Sequence, residues 1–169
     1  MNLDNSNRRL IEGVTRLLRE QMSSSWPTVS GDNYTDVENV WPSSVPTKES
    51  GEPKEFPYGT VDIIAGNDTD LSVELDVKLR ENTLKLVVFG EHSGKVEDLV
   101  DEAEQAILDH WEETANSPRS SWDEDVYLGD WSLRETDGFT PLVENEGTEG
   151  KLRYNRSVNL VFETVKQAN

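Results

Sequence analysis

Between Leu71 and Val88 apolar and polar residues alternate so regularly that only half-buried β-structure accommodates them. Leu71, Val73, Leu75, Val77 and Leu79 interleave with Ser72, Glu74, Asp76 and Lys78. One face of such a strand enters a core and the other meets water. Glu81-Asn82 reads as a tight turn, after which Leu84, Leu86 and Val88 alternate back, so the segment predicts an antiparallel hairpin. The period then changes. Val96, Leu99, Val100, Ala103, Ala106, Ile107 and Trp111 trace one apolar face over about five helical turns. Ser93 or Gly94 caps this helix and Asn116-Ser117-Pro118 stops it.

Weaker patterns fill in the rest. Leu10, Ile11, Val14, Leu17 and Leu18 form the stripe of a first helix, capped by Asp4 and ended by Ser23 to Ser25. Residues 22 to 57 are rich in Ser, Pro, Gly and Asn and contain Trp26-Pro27 and Trp41-Pro42. Proline forces the residue before it towards extended backbone, so this stretch reads as a long loop or arm rather than helix. Val61 to Ala65 is a short strand bounded by the turn Gly66-Asn67-Asp68. Val126 to Leu133 reads as another strand, followed by a loop marked by Gly138, Pro141, Gly147 and Gly150. Leu152, Tyr154, Val158, Leu160 and Phe162 share one face of the last strand, interrupted by Arg156. The sum is one α+β domain over 1–169: an antiparallel sheet of four to five strands, with the N-terminal helix and the long amphipathic helix packed on one face.

Charge narrows the setting. The 169 residues hold 34 acidic against 16 basic side chains, for a net charge of −18, and the acids run from Asp4 to Glu163 without gathering in a tail. Such a charge repels itself in dilute buffer. At about 1 M salt the screening length shrinks to about 3 Å and the repulsion fades. A salt-adapted cytoplasm, such as that of a halophilic archaeon or its virus, is the expected home. No basic cluster exceeds Arg8-Arg9, which excludes a phosphate-gripping surface of the usual kind. Cysteine is absent, so disulfides and thiolate chemistry are excluded. Met1 to Asn5 lacks a signal-peptide profile, and no run approaches the 18 or so apolar residues of a membrane span.

The motifs carry little chemistry. Gly90-Glu91-His92-Ser93-Gly94-Lys95-Val96 resembles a phosphate loop, but only three residues separate its glycines, Val96 stands where a hydroxyl is needed, and Glu91 opposes phosphate. A capped helix start explains it better. His92 and His110 lie at opposite ends of the long helix, roughly 27 Å apart, and share neither metal nor proton. Asp123-Glu124-Asp125 and Asp68-Thr69-Asp70 lack the calcium-loop pattern. No nucleophile elbow is present. The expectation is no catalytic residue, no cofactor and no metal. Of the five tryptophans, Trp111 and Trp131 fall on element faces, whereas Trp26, Trp41 and Trp122 sit in loops. Those three are the candidate subunit-interface anchors, with packing onto their own domain as the alternative.

The hairpin from Leu71 to Phe89, the helix opening at Val96-Glu97-Asp98-Leu99 and the closing strand from Leu152 to Thr164 follow an order that resembles the tail-completion, or tail-terminator, proteins of long-tailed viruses. The arm at 22–57 and the acidic insert at 117–125 depart from that pattern. The resemblance implies a virion protein assembled in the host cytoplasm. Such a protein forms a ring, usually of six subunits, ends the tail tube, and offers a surface to the head connector while DNA passes through the hole. An acidic lumen suits DNA that must slide without sticking. The resemblance carries no catalytic residues. Two alternatives stay open: another neck or head-closure protein, or a cellular ligand-binding module of a halophile.

Overall fold

The computed structural model describes residues 3–72, 74, 77–116, 131–139, 142–146 and 152–167. A first helix, α1 (Leu3–Gln21), is followed by β1 (Thr28–Gly31), β2 (Tyr34–Glu38) and β3 (Val40–Pro42). Two long strands, β4 (Tyr58–Ser72) and β5 (Val77–Gly90), lead into the second helix, α2 (Ser93–Asn116). The described chain closes with β6 (Ser132–Phe139), β7 (Val143–Glu146) and β8 (Leu152–Gln167). The α+β class stands: a six-stranded sheet in the order β3-β4-β5-β8-β6, with β7 also on β8, and a separate β1-β2 pair. All pairings are antiparallel except β3 with β4.

Both helices cover one face of this sheet. Leu10, Val14, Leu17 and Leu18 of α1 are fully buried, as are Val96, Val100, Ala103 and Ile107 of α2. They meet Val61, Leu84, Leu86, Val88, Val158, Leu160 and Phe162 in one cluster. The even-numbered residues of β5 from Asn82 to Gly90 face the helices, and their odd-numbered neighbours face away. Gly90 is required by the helix itself: a Cβ there would stand 2.7 Å from Val96 Cγ2. Arg156, the interruption on β8, is held on the helix-facing side by Asp101 of α2 at 3.4 Å.

Three sequence expectations change. The turn is not at Glu81-Asn82, because β5 runs unbroken through both residues and the β4-β5 connection falls between Ser72 and Val77. Asn82 is buried, and its amide Nδ2 donates to Asn7 Oδ1 of α1 at 2.7 Å. Likewise Gly66-Asn67-Asp68 is mid-strand rather than a turn, and Asp68 is clamped by a two-pronged bond from Arg80 at 2.8 and 3.0 Å. That hydrogen bond, before any effect of burial, raises the Arg80 pKa above its ordinary value. Finally, the expected loop at 22–57 holds three short strands, β3 among them as an edge of the main sheet. The expected strand at Val126 to Leu133 lies outside the described residues as far as 130, and β6 begins at Ser132. This strand continues through Gly138, which the sequence marks as loop.

Candidate functional site

The long strands outrun the helices that cover them. At about 1.5 Å per residue the 24 residues of α2 span about 36 Å, whereas the 16 residues of β8 reach about 53 Å at about 3.3 Å each. Beyond Leu84 the apolar alternation on β5 changes phase, from Leu84, Leu86 and Val88 to Val77 and Leu79. An even-numbered apolar set faces the helices, so the odd-numbered set lies on the other side of the sheet. Val165 is paired opposite Leu79 and is 62 % exposed, and Thr69 flanks Leu79 on its other side. The distal sheet therefore shows a small apolar strip on the face that no described helix covers. Leu71, 55 % exposed, stands at a bulge near the end of β4, beside Asp70 and three positions before exposed Glu74.

The opposite end of the same strands forms a cleft of about 570 Å³. Its floor is aromatic: Tyr58 stacks on Phe89 with centroids 4.8 Å apart, and Phe56 leans on Tyr58 at 5.4 Å. Arg153 lies over the Phe56 ring at 4.5 Å and faces Glu91 at 3.5 Å. Lys48, Lys54 and Lys95 also line the cleft, against three carboxylates, Glu52, Glu55 and Glu91. In a chain of net charge −18, this is a place where cations outnumber acids. Lys54 is engaged, its Nζ donating to Ser30 O at 3.1 Å and lying over the Tyr34 ring. Among the described residues, Lys48 and Lys95 have no carboxylate at ion-pair distance, and both are exposed. Burial in the cleft pushes the Tyr58 phenol above its ordinary pKa, and the Arg153 charge pulls the other way.

The glycine-containing stretch at 90–96 contributes Gly90, Glu91, His92 and Lys95 to this cleft. It opens α2, with Val96 N donating to His92 O, as a helix start does. The cleft wall from Lys48 to Pro57 is pinned by Asn39, which is 1 % exposed. Its Nδ2 donates to Glu55 O at 2.9 Å and to Pro57 O at 3.1 Å, while its Oδ1 accepts from Trp41 Nε1 at 2.9 Å. The Phe56-Pro57 peptide is cis. Asn39 and the cleft escaped the sequence reading, because a lone Asn in a polar stretch gives no periodic signal.

The tryptophans divide as follows. Trp26 is 3 % exposed and sits in the core cluster, above Gly59, where a Cβ would stand 3.0 Å from Trp26 Cη2. Its ring is fully occupied inside the monomer. Trp41 is half-buried on the edge strand β3, between the Arg19 guanidinium at 4.7 Å and the edge of Tyr34 at 5.1 Å. Burial lowers the Arg19 pKa below its ordinary value, and Glu38 opposes that effect. Trp122 lies outside the described residues. Trp111 and Trp131 are core residues joined by a bond from Trp111 Nε1 to Trp131 O at 3.0 Å. Among the described residues no group of three or more His, Cys, Asp or Glu is placed to hold a metal ion, and no helix is long and apolar enough to cross a membrane.

No protein family matches the chain at the level of sequence, and no curated protein does. Among solved structures, the chain is similar to one from the virion of a native gene transfer agent particle, at a TM-score of 0.31 and 15 % identity, over 77 % of this chain and 79 % of that one. A likeness of this degree carries no weight for function, which must rest on the chain's own geometry.

Proposed function

We propose that this chain is a structural virion protein that assembles with copies of itself into a ring, ending the tail tube of a tailed virus and joining it to the head connector. The observation that carries this is the phase change along β5, which puts Val77, Leu79 and Val165 on the side of the sheet that no described helix covers. Alternation is maintained there without serving the monomer's core, as expected of residues that are buried only on assembly. Trp41, half-buried on the sheet's β3 edge, is a further contact residue. The order of elements supports a tail-terminator role. So does the acidic surface, which lets DNA pass through a central hole without adhering. Six subunits are the expected number. Native mass measurement in molar KCl should show a closed ring, and mixing with purified tail tubes should place it at one tube end. A protein that stays monomeric at every salt and protein concentration, with and without tubes, would overturn the proposal.

The basic aromatic cleft favours a second reading, a binding module of a salt-adapted cell that takes a small anionic ligand between Lys48, Lys95 and the Tyr58-Phe89 stack. It predicts a monomer or dimer whose cleft resonances shift with added ligand.

A further inference from the structure

We infer that the aromatic cleft is a site for a small monocarboxylate with an apolar body, and that Arg153 grips its carboxylate. This rests on the second reading above, in which the cleft takes an anion, and is independent of ring formation. Arg153 lines the cleft, and its guanidinium lies 4.5 Å over the Phe56 ring. Its Nη1 is already occupied, facing Glu91 Oε1 at 3.5 Å and donating to Leu152 O at 3.4 Å. Nε and Nη2 have no partner among the described residues. Those two N–H groups point the same way along one side of the guanidinium and match the two oxygens of a carboxylate.

Charge sets the valence of the ligand. Lys48, Lys54, Lys95 and Arg153 line the cleft against Glu52, Glu55 and Glu91, an excess of one positive charge with histidine counted as neutral. A monoanion brings that count to zero, whereas a phosphate ester, at about −1.5 to −2, overshoots it. The floor selects the rest of the molecule. Phe56, Tyr58 and Phe89 pack ring against ring yet stay only half-buried, so an apolar body laid on them removes further ring surface from water. The volume of about 570 Å³ lies within the range of about 300–1,000 Å³ usual for small-molecule sites. The wall is also preformed. Buried Asn39 holds it by the Glu55 and Pro57 carbonyls, which leaves little ordering to oppose binding.

Titration with 3-phenylpropionate tests this. The full chain is held at pH 7.5 in the lowest KCl concentration that keeps its native circular dichroism, and the amide resonances of Glu91 and Lys95 are followed. The probe should bind more tightly than acetate, which lacks the body, 3-phenylpropanol, which lacks the charge, or phenyl phosphate, which carries too much. Arg153→Lys keeps the positive charge but loses the fork, and should weaken the probe by about tenfold. Glu91→Gln removes a rival carboxylate beside Arg153 and should tighten it by about threefold. Circular dichroism verifies that both variants fold. If phenyl phosphate binds as tightly as 3-phenylpropionate, or if neither substitution changes the affinity, the carboxylate assignment is wrong while the anion-binding cleft stands. If neither anion moves a cleft resonance, the second reading falls and this inference with it.

Discussion

Replacing Trp26 asks whether an aromatic in a proline-rich segment serves the core or a partner. A buried Trp removes about 150–250 Å² from water, worth about 4–6 kcal/mol at 25 cal/mol per Å². Residual compactness of the unfolded chain trims this to about 3–5 kcal/mol. Against it stands the indole Nε1, buried with no hydrogen-bond partner among the described residues, a defect of about 1–3 kcal/mol. Trp26→Ala removes both and leaves a cavity in the core cluster, so it should destabilise by about 3 kcal/mol net. Trp26→Phe keeps most of the apolar area and removes the orphaned N–H, so it should fall within about 1 kcal/mol of the wild type. Urea unfolding in molar KCl, followed by far-ultraviolet circular dichroism, resolves the two: the alanine midpoint drops by about 1 M while the phenylalanine midpoint barely moves. An alanine variant as stable as the wild type, or a phenylalanine variant as weak as the alanine one, would refute the reasoning.

Other outcomes follow from the same structure. Asn39→Ala strands the Glu55 and Pro57 carbonyls and the Trp41 indole together, and should cost about 2–3 kcal/mol in the same urea assay. The Tyr58 phenol has its pKa raised in the folded state, so its contribution to stability is intact below about pH 10, the ordinary tyrosine value, and is lost as pH climbs through the folded value. Alkaline melts should therefore show a steeper loss for the wild type than for Tyr58→Phe. Arg80→Ala breaks a partly exposed pair with Asp68 and should cost no more than about 1 kcal/mol, shrinking in salt. Thermal midpoints should rise steadily with KCl as the −18 charge is screened, and an unchanged midpoint would remove the case for salt adaptation.

Continuous periodicity read true in three places and misled in one: the strict alternation from Leu71 to Leu79 is crossed by the β4-β5 connection between Ser72 and Val77. The stripe from Leu10 to Leu18, the face from Val96 to Trp111 and the alternation from Tyr154 to Phe162 lie where their spacing puts them, while Leu152 at the start of β8 is 46 % exposed. The misplaced turn has a physical cause. A break in alternation between Leu79 and Leu84 is what a turn produces, but it also arises when a strand leaves one cover and turns its apolar side to the other face. Local sequence does not separate the two; the partner of Asn82 on α1 does. The strands inside 22–57 escaped because Ser, Pro and Gly hide pairing that depends on Asn39, Arg19 and distant Gly59. The cleft was illegible for a similar reason, being gathered from Lys48, Phe89 and Arg153, three segments far apart along the chain.

Past Val61, no described strand borders β4 on its outer side, since β3 pairs only as far as Pro42. An unguarded rim of that length invites a neighbouring chain to add itself, strand by strand, without end. Bulges at Ile63/Ala65 and Asp70/Ser72, with Asp62, Asp68 and Asp70 between or beside them, roughen the rim and charge it. Fibre growth along that margin is thereby discouraged, and copies of the chain are left to join by shaped patches whose number is finite.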